Sequence, residues 1–298
     1  MSGRARPLPA DGPCRLRAPD ASATPVDYPR TAIISDLHAN VPALETALTD
    51  ARQRGAERYV CLGDVIGYGA QPRECLDEVM RLCVPEPFDV RANPGEELAG
   101  GLCLQGNHEY ALLNTAEDFN PKARAAIDWT RDEINRGEDR EAAYGYWDFL
   151  DSLSAKASDE MAMFAHGSPR DPVREYMLPR DIRDQAKMGA NFARMERNVC
   201  FVGHSHVPAI YYQDGRLFRP NGVDGPYTLD VDENRKAIVN VGSVGQPRDG
   251  DPRLSYVLFD GATVTFVRLD YDHATAADRI RSVEALPDFL ADRLAVGR

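Results

Sequence analysis

The sequence predicts a layered α/β protein, and three features predict it. After a start rich in proline and arginine, short apolar runs alternate with amphipathic helical segments. Five of those runs open directly, or within a few residues, into Gly, Asp, Asn or His. With 298 residues the chain can bury a full core, as one large domain or two modest ones.

Residues 1–29 hold six of the 21 prolines and four arginines without a continuous apolar segment, and they are expected to form a flexible tail. The remainder, 30–298, is expected to be a single domain. A first strand falls at 31–34. Asn40 is placed to cap the helix that follows, with Pro42 in its first turn and Val41, Leu44, Leu48 and Ala51 on one face, until Gly55 stops it. A second strand at 59–62 precedes a helix at about 73–83, which makes a βαβα opening with parallel strands. Strands are expected again at 101–105 and 161–165. Between them lies a mostly helical insertion at about 110–159, with helices at 123–134 and 142–153, placed to cover a site. A helix at about 181–196 leads to a strand at 199–202. Short strands at 208–212, 216–219, 237–241, 254–259 and 263–268, separated by turn residues, suggest antiparallel β structure.

Composition excludes several function classes. Lys and Arg total 35 against 47 Asp and Glu, a net charge of −12 that repels nucleic-acid and lipid phosphates, so non-specific nucleic-acid binding is not expected. No stretch reaches the roughly 18 apolar residues of a membrane span. The six cysteines form no Cys-x-x-Cys pair, and Cys61, Cys103 and Cys200 sit in apolar runs, which reads as reduced thiols in a cytoplasmic protein.

The chemistry gathers at the strand ends. Five of the six histidines follow an apolar run closely, in Asp36-Leu37-His38, Gly106-Asn107-His108-Glu109, His166-Gly167 and Gly203-His204-Ser205-His206, while Gly63-Asp64 ends a fifth run. Each piece alone has a plainer reading. Asp36 or Asn40 can cap a helix, Gly63-Asp64 and Gly106-Asn107 can be turns, and a single histidine is usually structural. His204 and His206, two apart, would face one side of a strand. Side chains at the carboxyl ends of neighbouring strands converge, however, so together these residues predict a cage of oxygen and imidazole donors. Without thiolate, such a cage suits Mn, Fe, Zn, Co or Ni.

In order and spacing, Asp36-x-His38, Gly63-Asp64-x-x-Gly67, Gly106-Asn107-His108-Glu109, His166 and Gly203-His204-x-His206 resemble the motif set of the calcineurin-like metallophosphoesterases, over residues 31 to about 260. Residues 240–247, Asn-Val-Gly-Ser-Val-Gly-Gln-Pro, are similar to the small bacterial and archaeal phosphodiesterase-like branch. The resemblance implies a four-layer α/β/β/α sandwich of two mixed β-sheets flanked by helices, and a binuclear site of two divalent or mixed-valence metal ions. Asp36, His38 and His206 would bind one ion and Asn107, His166 and His204 the other, with Asp64 bridging. His108 would stay outside the metal shell and give a proton or hydrogen bond to the leaving oxygen as metal-activated hydroxide attacks phosphorus. Glu109 would orient His108 or start the following helix.

The segment after Asp64 lacks the Asp-Arg-Gly continuation of serine/threonine protein phosphatases, and with it an aspartate partner for His108. A small phosphorylated substrate is therefore expected, as monoester or diester, and a dinucleoside polyphosphate is the alternative. A non-catalytic scaffold of the same fold is the non-enzymatic rival, disfavoured because every expected donor position is filled. Arg170 and Arg248, in the near-repeats Pro169-Arg170-Asp171 and Pro247-Arg248-Asp249, are expected to clamp a distal phosphate or else to pair with a nearby aspartate. Tyr144, Tyr146, Trp147 and Phe149 in the insertion are expected to pack in the core or between copies of a homo-oligomer rather than stack a base.

Overall fold

The apolar runs become strands buried on both faces, which is why they read as continuous rather than alternating. The computed structural model describes residues 28–83, 100–116, 119–136 and 140–298. Residues 1–27 of the expected tail, with Cys14, lie outside the described residues, as do short pieces of the insertion. Tyr28 is buried and its hydroxyl donates to Asp159 Oδ2 at 2.7 Å, so ordered packing reaches back past the expected boundary at residue 30.

Two mixed six-stranded sheets form the centre. The first has the order β3 (Leu102–Cys103), β2 (Arg58–Cys61), β1 (Thr31–Ile34), β11 (Leu254–Phe259), β12 (Thr263–Leu269) and β9 (Asp224–Thr228). The second has the order β4 (Lys156–Ser158), β5 (Ala162–Ala165), β6 (Val199–Val202), β10 (Ala237–Asn240), β7 (Ala209–Tyr212) and β8 (Leu217–Phe218). The strands that carry site loops, β1-β2-β3 and β5-β6, run parallel within their sheets, so their carboxyl ends share an edge.

Side-chain alternation assigns the layers. Ile33, Val60, Phe164, Phe201, Val239, Val257 and Phe266 point between the sheets. Ile34 and Cys61 point outward against α1 (Val41–Gln53) and α2 (Pro72–Cys83), with α7 (His273–Arg281) alongside. Met163, Cys200 and Ile238 point outward on the other side, against Met188 and Phe192 of α6 (Gln185–Arg194). The result is the expected α/β/β/α order. The insertion supplies α3 (Asn107–Leu113), α4 (Pro121–Ile134) and α5 (Arg140–Ser152), and α8 (Phe289–Asp292) with a 3-10 turn, Arg293–Val296, closes the described chain.

Three local expectations need correction. The helix expected over 181–196 is a 3-10 turn, Pro179–Arg183, followed by α6, because the Asp184 side chain accepts the Lys187 N–H and so starts a new helix there. The C-terminal strands pair antiparallel with one another as expected, β7 with β8 and β10 and β11 with β12, but β10 also pairs parallel with β6, and the strands divide between both sheets. His204 and His206 are not on a strand. They lie in the loop after β6, both with positive φ, 62° and 58°, and face different partners.

The aromatic cluster packs, as expected. Phe149 and Tyr146 are buried, Tyr146 donates to Asp77, and Trp147 Nε1 donates to Asn135 Oδ1 at 3.0 Å; only Tyr144 is exposed. The five described cysteines are buried free thiols, and no described helix is long and apolar enough to cross a membrane.

Candidate metal centre

Five strand ends converge on one buried centre. Asp36, His38, Asp64, His166, His204 and His206 are each 3% exposed or less, and Asn107 is half-buried at the start of α3. Two donor groups result. His206 Nε2 is 3.0 Å from Asp36 Oδ1 and 3.2 Å from His38 Nε2. His166 Nε2 is 3.1 Å from both Asn107 Oδ1 and His204 Nδ1. Asp64 Oδ2 stands between the groups, 3.8 Å from His38 Nε2 and 3.4 Å from His166 Nε2. All seven residues expected to hold metal thus lie together, and Asp64 belongs to both donor groups.

The hydrogen bonds behind the donors orient them. His38 Nδ1 faces the Ile66 carbonyl, His166 Nδ1 that of Leu62, His206 Nδ1 that of Gln246 and His204 Nε2 that of Arg174. A carbonyl only accepts, so each of those nitrogens carries the proton and the other nitrogen presents its lone pair inward. The carboxylates divide in the same way. Asp36 Oδ2 accepts the His204 N–H and Asp64 Oδ1 the His108 N–H, both at 2.9 Å, which leaves Asp36 Oδ1 and Asp64 Oδ2 for the centre.

Lone pairs converging at 3.1–3.2 Å could hold a metal ion among them, and against the effect of burial the carboxylate of Asp64, with those of its neighbours, raises the His166 pKa to about 9, so a positive charge at this point is favoured. Asp36 Oδ1 is buried without a hydrogen-bond donor although His206 Nε2 is 3.0 Å away. Two nitrogens bound to one ion at about 2.1 Å, with bond angles near 90–110°, stand about 3.0–3.4 Å apart, so the spacing fits transition-metal ligation. Burial alone would raise both aspartates, but the imidazole of His206 beside Asp36 and of His166 beside Asp64 hold them below the usual carboxylate range. Burial pushes His204 down to about 3 and His38 well below its ordinary value, so both are neutral donors.

His108 stands apart from both groups, with Nε2 3.9 Å from Asp64 Oδ2. Its Nδ1 is buried without a partner, as the missing aspartate after Asp64 led us to expect, and burial lowers its pKa to about 4. Gly67 makes room for this ring: a Cβ there would lie 2.0 Å from His108 Nδ1. Glu109 does not touch the His108 ring. Its carboxylate accepts the backbone N–H groups of Asp64, Val65, Ile66 and Gly106, so it starts α3 and ties the Asp64 loop to it.

Residues 240–247 prove to be a brace, a role the motif alone did not disclose. Asn240 Nδ2 donates to the Gly203 carbonyl and Ser205 Oγ, Ser243 Oγ donates to the Asp36 carbonyl, and the Gln246 carbonyl fixes His206. Two further contacts had no sequence signal. The Tyr176 ring stacks on His204 at 3.8 Å, and Tyr68 packs against His38 and His108 at 4.7 and 4.4 Å. A cleft of about 210 Å³ opens beside the second donor group, lined by Tyr68, Asn107, Tyr110, Phe119, Tyr176 and His204. Its outer wall comes from the helical insertion.

The two arginines differ. Arg170 is locked to Glu175, with Nε 3.0 and 2.9 Å from the two carboxylate oxygens, so its partner is a glutamate five residues on rather than a nearby aspartate. Arg248 donates to Gln246 Oε1 at 2.7 Å and lies 5.6 Å from the Tyr68 ring centre, at the mouth of the site.

Comparison with known proteins agrees with this geometry. The model of the calcineurin-like phosphoesterase superfamily domain matches residues 30–263. An uncharacterised protein of Methanocaldococcus jannaschii is 33% identical over 276 residues, covering 90% of this chain and 98% of that one. The crystal structure of a metallophosphoesterase from Sphaerobacter thermophilus is 35% identical, covers 91% of this chain and all of that one, and superposes with a TM-score of 0.71. A hypothetical protein from Pyrococcus horikoshii shares the fold at 19% identity and a TM-score of 0.65, over 90% of this chain and 98% of that one. The chain belongs to the calcineurin-like phosphoesterase superfamily.

Proposed function

We propose that the protein is a binuclear-metal phosphoesterase that hydrolyses phosphomonoester or phosphodiester bonds of small phosphorylated molecules. The observation that carries this reading is the shared carboxylate: Asp64 Oδ2 faces the Asp36/His38/His206 group and the Asn107/His166/His204 group at once. Bound there, two divalent ions would lower the pKa of solvent and neutralise charge on a phosphoryl group. Manganese, iron, zinc, cobalt and nickel suit the oxygen and imidazole donors.

The chain's own residues supply the rest. The carbonyls of Ile66, Leu62, Gln246 and Arg174 keep four imidazoles in their donor orientation. His108, neutral and with Nδ1 unpartnered, offers an Nε2 hydrogen bond beside Asp64, where a leaving oxygen would develop charge. The cleft walled by Tyr110, Phe119 and Tyr176 excludes water from one side of the substrate and suits a small ester better than a protein loop.

The test is an assay of metal-loaded protein, with Mn, Fe, Co, Ni, Zn and Mg in turn, against a monoester, a diester, a phosphopeptide and a dinucleoside polyphosphate. Turnover of a small ester with one of the transition metals, falling at least about 10³-fold in Asp64→Ala, is expected, a loss of about 4 kcal/mol of transition-state stabilisation. Turnover that survives Asp64→Ala unchanged would refute the reading.

A further inference from the structure

Nothing in the metal chemistry accounts for the aromatic walls of the cleft beside the second donor group. The cleft shares Asn107 and His204 with that group, so whatever fills it is continuous with whatever the centre holds. Tyr110 follows Asn107 by one turn of α3 and therefore stands on the same face of that helix. The guanidinium of Arg174 lies over the Tyr110 ring, 4.7 Å from its centre, so a cation and a phenol ring together form one wall. Tyr176 stacks on His204 at 3.8 Å with 26° between the rings, yet 44% of it is exposed: the imidazole covers one face and the rest is open to the cleft it lines. A large side chain left open beside a buried polar centre marks a binding surface.

These walls are held in place. The Arg174 N–H donates to Asp171 Oδ1 at 3.1 Å, and the Arg174 carbonyl faces His204 Nε2 at 3.1 Å. Between Arg174 and Tyr176, Glu175 accepts from Ser168 Oγ at 2.7 Å and from Asn191 Nδ2 at 2.9 Å. A surface fixed before the ligand arrives loses little entropy on binding. The volume of about 210 Å³ is below the roughly 300–1,000 Å³ of pockets for drug-sized ligands, so the cleft takes one ring system rather than a folded peptide loop. Arg174 and Asn120 interrupt the lining, which disfavours a fatty chain, because hydrocarbon would desolvate them without returning hydrogen bonds. A planar ring meets these demands: its face stacks on an aromatic side chain and attracts a guanidinium.

We propose that this cleft is a subsite for a planar aromatic ring carried by the ester, so that the preferred substrates bear a nucleobase or an aryl group rather than a bare sugar or an alkyl chain. The proposal rests on the phosphoesterase reading for what occupies the centre, and adds what the ester carries beside it. Tyr110 and Tyr176 supply the stacking surface. Arg174 and Asn120 supply polar contacts that a nucleobase can use at its edges and a simple aryl group cannot, so the nucleobase is expected to bind tighter.

Calorimetric titration of the full-length, metal-loaded protein with three phosphonates, in which a methylene replaces the bridging oxygen, reads the subsite without turnover. The probes are the analogues of adenosine 5′-phosphate, of ribose 5-phosphate and of phenyl phosphate. The adenosine analogue is expected to bind about 10–100-fold tighter than the ribose analogue. Tyr110→Leu and Tyr176→Leu should each lower that ratio about 5–10-fold, whereas Tyr110→Phe and Tyr176→Phe should keep it. Because the ratio compares ligands with the same phosphonate, a change in metal affinity acts on both alike. A preference shared by the phenyl analogue would assign recognition to the ring faces, and one confined to adenosine would add the polar edges; both sustain the subsite. A wild type that binds the ribose analogue as tightly as the ring-bearing ones, or a ratio unchanged in both Leu variants, would overturn the proposal. Ring-dependent binding in a protein that turns over no ester would sustain the subsite and sink only the hydrolase reading, whereas turnover of small esters without ring preference would sink only the subsite.

Discussion

Among the described residues, seven non-glycine positions have positive φ, and five of them are Asp36, His38, Asp64, His204 and His206. Left-handed backbone at such residues costs about 1–3 kcal/mol each and persists only where surrounding structure enforces it. Here the enforcement is visible. The Asp36 N–H donates to the Gly63 carbonyl and the His38 N–H to the Asp64 carbonyl, so the first two site loops hold each other in the strained form. His108 escapes this strain because it lies on α3, and we propose that its role is separable from metal holding. His108→Gln should therefore lower kcat about 10²–10⁴-fold while metal content per chain stays at the wild-type value. Loss of metal in that variant, measured by elemental analysis, would place His108 among the ligands instead. The residue types and spacing made the seven donors legible in advance, since carboxylate, carboxamide and imidazole at strand ends have few other joint uses. Tyr68 and Tyr176 were not legible, because aromatic side chains beside a site are set by which loops dock there.

The loop 166–178 shows how an element is held for a site it only borders. Its Arg174 carbonyl fixes His204, and the loop's own closure depends on Glu175, which accepts from Ser168 Oγ at 2.7 Å, from Asn191 Nδ2 at 2.9 Å and from Arg170. Burial alone would raise this carboxyl, but Arg170, Asn191 and Ser168 hold it down at about 2. A depressed folded-state pKa means stability present above the unfolded value near about 4.3 and lost as pH falls toward about 2. Glu175→Gln should accordingly be less stable than wild type in urea denaturation above about pH 5, and the gap should close progressively at lower pH. A gap that does not depend on pH would mean that the carboxylate's charge contributes nothing. The continuous apolar run of β1 and the helical periodicity of α1 could be read before the fold was known, and Asn40 caps α1 through the Ala43 N–H as its position suggested. The polar strands β4 and β9 could not, since their residues are exposed or only half-buried and their pairing is decided by β5 and β12.

At the scale of the whole molecule, the two sheets bring together residues up to 170 positions apart, and the inter-sheet core of Ile33, Val60, Phe164 and Phe201 sets the distance between the donor groups. The division of the C-terminal strands between both sheets serves the same end. β10 carries the brace over residues 240–247 out of the second sheet and into contact with Asp36 of the first, so neither sheet can shift without disturbing the centre. Sequence pattern alone did not say which sheet each of those strands joins, because short strands split by turns look alike in either sheet. The most direct measurement is anomalous diffraction from manganese-soaked crystals, collected on both sides of the metal absorption edge. Two peaks about 3.5–4 Å apart are expected, one among Asp36, His38 and His206, the other among Asn107, His166 and His204, with Asp64 touching both. A single peak, or peaks away from Asp64, would contradict the account.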